Sequence, residues 1–193
     1  MHAIRHAKPF KKQGVAVHFY TNTALVSSMK ILVFLHGTTI MHKTRTTCSR
    51  KKRVRQSMKR EKAVLDYASY VPIGNAVEKL REWKRQGAGV LYLSSHKHAN
   101  DVAKDKAVLG KYHFPSGRVF YRGKGETYAA IAERILPDVL IEDDCESIGG
   151  KKEMTSTHIK PMLKRKIKCI VVKEFGGIDR LPDNVSDLLQ VHF

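Results

Sequence analysis

Five short apolar runs, separated by longer polar stretches, constrain the fold of this chain more than any other feature. The first runs from Ile31 to Leu35 and is followed closely by Gly37. The other four occupy residues 90–93, 119–121, 139–141 and 169–172. Continuous apolar runs of this length are typical of strands that are covered on both faces. The sequence therefore predicts a buried sheet with other elements packed on each side of it.

Segments with helical periodicity lie between these runs. After Pro72, which suits the first turn of a helix, apolar residues recur at helical spacing as far as Trp83. Two further helices are predicted at about 100–109, ending at Gly110, and at about 126–136. The alternation of strand and helix predicts an α/β fold with a mainly parallel five-stranded sheet. We expect a Rossmann-like, doubly wound three-layer sandwich.

The size and composition of the chain indicate one domain. A length of 193 residues with 42% apolar residues can form a single packed core. No apolar run reaches the roughly eighteen residues that would suggest a membrane span. Cys48, Cys145 and Cys169 are too few and too widely spaced for a disulfide framework or a zinc motif. We therefore expect reduced thiols in a cytoplasmic protein that is not embedded in a membrane.

Basic residues are concentrated in two parts of the chain. The net charge is +18, of which residues 1–28 contribute +4 without any acidic residue. Residues 43–62 contain ten Lys and Arg residues and one acid, Glu61, which gives +9. We expect a basic N-terminal extension at 1–28 and a domain at 29–193 with a short basic insert at about 43–62. The extension could be poorly ordered, the result of an upstream start codon, a targeting segment or a functional tail.

Polar side chains follow four of the apolar runs, at the strand ends where ligands bind in folds of this class. Small hydroxyls and a lysine would suit phosphate oxygens, and adjacent carboxylates would suit a hard cation such as Mg²⁺. Three consecutive acids repel each other unless they are compensated, which favours contact with a cation or ligand. The four groups are His36-Gly37-Thr38-Thr39, Ser94-Ser95-His96, Arg122-Gly123-Lys124 and Glu142-Asp143-Asp144.

The order of these motifs resembles that of the haloacid dehalogenase superfamily over roughly residues 29–173. The first motif of that family is an apolar strand followed by Asp-x-Asp-Gly-Thr, where this chain has Phe34-Leu35-His36-Gly37-Thr38. The family's strand that ends in Ser or Thr is similar to residues 90–94, and its lysine is similar to Lys124. Its strand that ends in paired acids is similar to residues 139–144.

The resemblance implies a phosphate-binding rim beside a Mg²⁺ site. Two alternatives stay open for the rim: the serines could only cap the next helix, and Lys124 could be a surface lysine with Lys111 and Arg122 as competitors. The acids could also be a structural feature. The implied phosphate-binding residues are Gly37, Thr38, Ser94, Ser95 and Lys124, and the implied metal ligands are Asp143, Asp144 and Glu142.

The resemblance places Phe34 at the family's nucleophile position and His36 at its acid/base position. A phenyl ring can neither attack phosphorus nor bind a metal, so the usual aspartyl-phosphate route is closed. His36 is a candidate acid/base residue near neutral pH, or else a hydrogen-bonded turn residue, a phosphoacceptor or a ligand for a softer metal. His96 and His98 are expected to face solvent. The resemblance thus implies a divergent protein that binds a phosphorylated small molecule or nucleotide. It would be either catalytically silent or a phosphomonoester hydrolase without the usual nucleophile.

The basic insert supports an alternative function. Residues 50–62 could form one helix over the rim that binds an anionic substrate or a nucleic-acid backbone, or that is only solvated. The chain has no helix-turn-helix, zinc-finger or RNP pattern, so nucleic-acid contacts would be to phosphates and not specific to sequence. A third hypothesis makes the chain an interaction scaffold. The candidate basic patch is Arg50, Lys51, Lys52, Arg53 and Arg55.

Overall fold

The structure is a computed structural model that describes residues 28–43 and 48–191. Its strands are β1 (Lys30–Phe34), β2 (Ile40–His42), β3 (Tyr70–Pro72), β4 (Gly89–Leu93), β5 (Val119–Phe120), β6 (Val139–Asp143) and β7 (Lys168–Val172). Its helices are α1 (Arg50–Met58), α2 (Ala76–Arg85), α3 (Ala99–Lys111), α4 (Tyr128–Ile135), α5 (Thr155–His158) and α6 (Pro161–Lys164). Short 3₁₀ turns occupy Lys62–Leu65, Tyr67–Ser69, Gly150–Lys152 and Val185–Gln190.

The central sheet has five strands in the order β5-β4-β1-β6-β7, and all four pairings are parallel. Strand β1 lies in the middle, with Ile31 opposite Val90 on one side and Val139 on the other. The connections run outward from β1 to β5 and then cross back to β6 and β7. This arrangement confirms the predicted α/β, doubly wound, Rossmann-like fold.

Two apolar layers cover the faces of the sheet. Alternate side chains of β1 point to opposite faces, because the side-chain period of a strand is two residues. Ile31 and Val33 join the layer that contains α2 and α3, whereas Leu32 joins the layer that contains α4 and α6. Trp83 of α2 is fully buried, and its Nε1 donates a hydrogen bond of 2.9 Å to the Pro182 carbonyl. Strands and helices therefore form the three layers of the predicted sandwich.

The structure corrects two predicted helix boundaries. Pro72 lies in β3, paired with Ile40 of a separate two-stranded antiparallel sheet, and the helix after it begins only at Ala76. Helix α3 continues past Gly110 to Lys111, because the burial of Val108 and neighbouring apolar residues outweighs the weak helix propensity of glycine. Proline and glycine positions in the sequence thus did not give the exact start of α2 or the exact end of α3.

The helix in the basic insert is shorter than the predicted helix over residues 50–62. Helix α1 ends at Met58, and Arg60 has φ +47°, a left-handed conformation that cannot continue a helix. Gln56 of α1 is buried, and its Nε2 donates a hydrogen bond of 2.8 Å to Glu61 Oε2. Residues 44–47 of the insert, and all of the predicted extension at 1–28 except Ser28, lie outside the described residues.

Two predictions about the chain as a whole can be compared with the described ranges. In residues 28–43 and 48–191, no helix is long and apolar enough to span a membrane. Cys48, Cys145 and Cys169 are free thiols, each partly buried. None of these three cysteines therefore forms a disulfide in the described structure.

Candidate functional site

A cleft of about 820 Å³ lies at the carboxyl ends of β1, β4 and β6. It brings together side chains that follow these three strands, together with residues from the β2–β3 connection, from α4 and from the loop after β7. The predicted site residues that line it are His36, Gly37, Ser95, Glu142 and Asp143. Lining residues that were not predicted include Arg60, Tyr67, Tyr70, His96, Tyr128 and Glu174.

Gly37 allows the chain to turn sharply after β1. Its φ is +79°, and a Cβ atom at this position would lie 2.7 Å from Asp143 Oδ2, so that both backbone conformation and space favour glycine. The Leu35 carbonyl accepts hydrogen bonds of 2.9 Å from the N–H groups of Thr39 and Ile40, which close the turn. The turn brings the residues after β1 against the end of β6.

Phe34 occupies the position that the resemblance assigns to the nucleophile. It is 9% exposed and packs edge-on against Tyr128, with ring centroids 5.2 Å apart. The Arg122 guanidinium lies 4.0 Å from the centre of the Tyr128 ring, a cation–π contact. This wall of the cleft is therefore aromatic and cationic, and Phe34 offers no nucleophile at the end of β1.

His36 is bound through both of its ring nitrogens. Its Nε2 lies 3.0 Å from Asp105 Oδ1, and its Nδ1 lies 2.7 Å from Ser95 Oγ. An imidazole between a buried carboxylate and a hydroxyl has the geometry of a general base that is oriented by an acid. The interpretation of His36 as a hydrogen-bonded turn residue and its interpretation as an acid/base residue are both compatible with these contacts.

Asp105 is a central residue of the site that sequence reasoning missed. It lies on α3, is fully buried, and accepts a hydrogen bond of 2.5 Å from Ser94 Oγ through Oδ2. A signal was present in the sequence, because Val102 and Val108 lie three residues on either side of it and share its buried helix face. A carboxylate within an apolar helical stripe requires polar partners in the core.

His96 does not face solvent, contrary to expectation. It is 9% exposed, and its ring lies edge-on to those of Tyr67 and His36, with centroid distances of 4.1 and 4.5 Å. Burial, together with the nearby His36, lowers the pKa of His96 and favours its neutral form. His98 is exposed, as expected, and is the N-cap residue of α3. The turn after β4 directs one histidine inward and the other outward.

Neither Ser94 nor Ser95 is the N-cap residue of the next helix, which was the alternative to the predicted phosphate-binding role. The N-cap residue of α3 is His98, and its side chain makes no cap hydrogen bond in the described structure. The Ser94 hydroxyl is buried, where it donates to Asp105 and accepts from the His96 N–H at 3.1 Å. Ser95 is exposed in the cleft, and its carbonyl accepts a hydrogen bond of 2.8 Å from the Tyr128 hydroxyl. Of these two serines, Ser95 is the one that a ligand can reach.

The three consecutive acids bind three different sets of partners. Glu142 is buried, and its two oxygens accept hydrogen bonds of 2.7 and 2.8 Å from the N–H groups of Thr155 and Ser156 at the start of α5. Asp144 accepts from the Glu174 N–H at 2.9 Å and forms a 3.0 Å ion pair with Lys173. Desolvation opposes ionisation of Asp144, but these two contacts outweigh it and lower the pKa of its carboxyl.

Asp143 connects β6 with the turn after β1. Its Oδ2 accepts a hydrogen bond of 2.9 Å from Thr38 Oγ1, and its Oδ1 accepts one of 2.9 Å from the Cys145 N–H. Burial raises the pKa of Asp143 to about 6, although these hydrogen bonds partly offset the effect. Thr38 is fully buried, so that its hydroxyl serves Asp143 rather than a ligand in the cleft. Each of the three predicted metal ligands therefore has two competing contacts of this kind.

Glu174, two residues beyond β7, is a further acid that was not predicted. Its oxygens accept hydrogen bonds from the N–H and hydroxyl of Ser147 at 2.7 and 2.6 Å. Burial is the main reason why the pKa of Glu174 rises to about 7, and the neighbouring Asp143 adds to it. The rule that ligands bind beyond strand ends would have selected this residue if it had been applied to β7.

One group of metal-ligating side chains emerges among the described residues. In that part of the chain, His36, His96 and Asp105 are the three side chains whose ligand atoms all lie within 4.8 Å of one another. Asp143, Asp144 and Glu142 do not form such a group in the described residues, and their oxygens bind separate partners. A Mg²⁺ ion at the acidic strand end therefore stays a prediction, and Glu142 and Asp143 are the two predicted ligands that line the cleft.

Arg122, rather than Lys124, supplies positive charge to the cleft from the β5–α4 loop. Lys124 is exposed outside the cleft lining, whereas Arg122 is partly buried within it. The Nε of Arg122 is buried and makes no hydrogen bond with any described residue. The planar guanidinium is also better suited than an ammonium to bind two oxygens of a phosphate.

The basic patch divides into anchoring and exposed residues. Arg50 Nη1 lies 2.7 Å from Glu146 Oε2, and it also donates to the Glu174 carbonyl at 3.3 Å. Arg53 donates to the carbonyls of Cys48 and Phe175 at 2.9 and 3.4 Å. These two arginines fasten α1 to the domain. The other three members of the patch are exposed: Lys51, Lys52 and Arg55.

Comparison with known proteins gives similarity of fold. No protein-family model matches the chain, and no curated protein sequence matches it. The crystal structure of a class C acid phosphatase from Bacillus anthracis with tungstate bound is similar, with a TM-score of 0.50 and 12% identity. That match covers 78% of this chain and 69% of the phosphatase chain. The fold is therefore one that a phosphatase adopts.

A chain from the structure of a Pnkp1/Rnl/Hen1 complex also matches, with a TM-score of 0.48 and 15% identity. The match covers 86% of this chain and 53% of that one, so this chain spans about half the length of its counterpart.

Proposed function

We propose that the cleft binds a phosphorylated small molecule or nucleotide in a divergent haloacid-dehalogenase-like domain. The observation that carries the proposal is the position of Arg122 in the cleft wall, with its guanidinium over Tyr128 and a buried Nε that no described residue satisfies. A phosphate would accept hydrogen bonds from this guanidinium, while Tyr128 and Phe34 would cover the less polar part of the ligand. Ser95, exposed in the cleft, would supply a further hydroxyl.

The proposed domain is silent in the aspartyl-phosphate route. Phe34 stands where that route needs a carboxylate, and its contact with Tyr128 leaves the ring fixed in the wall. If turnover occurs, His36 is the group that can move a proton, because it is oriented by Asp105 and touches the Ser95 hydroxyl. Asp143 would hold Mg²⁺, which would neutralise phosphate charge when bound.

A binding experiment with a matched pair of variants tests the proposal. Inorganic phosphate and a panel of nucleoside monophosphates are titrated into the full chain by calorimetry, with and without Mg²⁺. Arg122→Gln should weaken binding by roughly tenfold or more, because a charge-assisted contact is lost. Lys124→Gln removes the same charge from the same loop outside the cleft and should leave affinity unchanged. Equal effects of the two variants would refute the assignment of Arg122.

Hydrolysis of the same panel separates a silent domain from an enzyme. The silent form predicts no Mg²⁺-dependent release of phosphate above background. Turnover that disappears in both His36→Ala and Asp143→Asn would instead establish an enzyme that works without the usual nucleophile. Turnover that survives Asp143→Asn would show that the metal assignment is wrong.

The exposed side of α1 supports a second candidate function, binding to a nucleic-acid backbone. Lys51, Lys52 and Arg55 are all exposed on a helix that has no acid in its sequence. Changing all three to Gln should reduce RNA or DNA affinity at low salt by tenfold or more and flatten its salt dependence. A control with Gln at Lys106, Lys124 and Lys151, which are also exposed, removes the same charge elsewhere. Equal losses in both triple variants would exclude α1 as a specific contact surface.

A further inference from the structure

We propose that His36, His96 and Asp105 form a binding site for one divalent transition-metal ion of the zinc class. Asp105 Oδ1 lies 3.0 Å from His36 Nε2 and 3.6 Å from His96 Nε2. In a tetrahedral zinc site with bonds of about 2.0–2.1 Å, ligand atoms lie roughly 3.4 Å apart. The two distances bracket this value, so that an ion could bind with small movements of the side chains.

An unsatisfied nitrogen provides independent support for the site. His96 is more than nine-tenths buried, and its Nε2 has no hydrogen-bond partner among the described residues. The 3.6 Å distance to Asp105 is too long for a hydrogen bond. Burying a polar atom without a partner is unfavourable, and a metal ion at this point would supply the missing partner.

Hydrogen bonds also hold the side chains of two proposed ligands, His36 and Asp105, in place. Ser95 Oγ lies 2.7 Å from His36 Nδ1, the nitrogen that would point away from the metal. Ser94 Oγ donates a hydrogen bond of 2.5 Å to Asp105 Oδ2, the oxygen that would remain outside the metal shell. Hydrogen bonds of this kind fix the orientation of ligands in metal sites. The two serines thus hold His36 and Asp105 in fixed orientations for binding a metal ion.

The ligand set selects the class of metal. Two imidazoles and one carboxylate suit zinc and its transition-metal neighbours, whereas Mg²⁺ prefers an octahedron of oxygens. Three protein ligands leave one tetrahedral position open, as in catalytic rather than structural zinc sites. His36 and His96 both line the cleft, so that a molecule in the cleft could reach an ion that they bind. The site is separate from the carboxylate of Asp143.

Metal titration of the full chain tests the proposal directly. Protein that has been freed of metal with a chelator is titrated with Zn²⁺ by calorimetry, and bound metal is counted by elemental analysis. One equivalent should bind tightly, and Co²⁺ in its place should give the visible absorption of a tetrahedral complex. His96→Gln and Asp105→Asn should each lose that equivalent. Ser95→Ala should keep it with an affinity about 10- to 100-fold weaker.

His98→Gln is the matched control, because His98 is exposed two residues from His96. The chain has ten histidines, so weak Zn²⁺ binding at other positions is expected. The comparison of His96→Gln with His98→Gln therefore decides whether the tight equivalent binds at the proposed site. Tight binding of one equivalent by His96→Gln and Asp105→Asn, with wild-type affinity, would overturn the proposal. Far-ultraviolet circular dichroism verifies that each variant is folded. Arg122→Gln should not alter zinc binding, so that failure of the phosphate proposal and failure of the zinc proposal remain distinguishable.

Discussion

The two sides of the cleft contain similar residue types but arrange them differently. On the β4 side, the polar groups of His36, His96 and Asp105 face one another, and one buried nitrogen lacks a partner among the described residues. On the β6 side, the Glu142 carboxylate accepts from two N–H groups of α5, and the Glu174 carboxylate accepts from the N–H and hydroxyl of Ser147, so that both hold neighbouring segments together. Acids near a strand end can thus serve the fold as readily as a ligand. Their hydrogen-bond partners distinguish the two roles.

The largest effect on stability is expected on the β6 side. Glu142→Ala would leave two buried N–H groups at the start of α5 without acceptors, which should lower the free energy of unfolding by about 3 kcal/mol. Urea denaturation measures the change. Glu146→Ala removes an acid from an exposed ion pair with Arg50 and should cost less than about 1 kcal/mol. Similar losses in the two variants would mean that the Glu142 contacts are not structural.

The β4 side should respond to metal more than to mutation. At a free Zn²⁺ concentration of about 100 times Kd, binding to the folded state alone raises the free energy of unfolding by about 2.7 kcal/mol. We expect this gain in the wild type and in His98→Gln, and its absence in His96→Gln. If Zn²⁺ raised the free energy of unfolding equally in all three proteins, the β4 side would not be the metal site.

The difference between the two sides also explains how far the sequence could predict the site. The strand-end rule located His36, Ser95 and Asp143 in the cleft, because the backbone of a parallel sheet decides where strands end. It could not predict that Glu142 caps α5, since the direction of a side chain depends on which loop packs beside it. Asp105 was missed because it lies within a helix rather than directly after a strand.

The fold was easier to predict than the site for the same physical reason. Burial of an entire strand leaves an apolar run in the sequence, and each run corresponded to one strand of the sheet. A single hydrogen bond leaves no comparable pattern, so that the partners of Ser94 and Thr38 became evident only from the packed structure.

Stability should depend on pH through the β6 side. The pKa of Glu174 rises to about 7 in the folded protein, above its value in the unfolded chain. The folded state then binds more protons than the unfolded state between about pH 4.5 and 7, and stability falls as the pH rises through this window. Glu174→Gln should flatten that part of the curve, whereas Glu146→Gln should leave it unchanged. A curve that keeps its slope in Glu174→Gln would assign the effect to another group, such as Asp143.

The smallest predicted effect on stability concerns α1, where an anchoring residue can again be compared with an exposed one. Arg53→Gln should lower the free energy of unfolding by about 1 kcal/mol, because Arg53 donates to the Phe175 carbonyl, which holds α1 against the domain, and to the Cys48 carbonyl just before α1. Lys52→Gln on the exposed side should change it by less than about 0.5 kcal/mol. If the order were reversed, α1 would not be anchored as described. Binding losses in a patch variant could then arise from a displaced helix, which is why the nucleic-acid test changes only exposed residues.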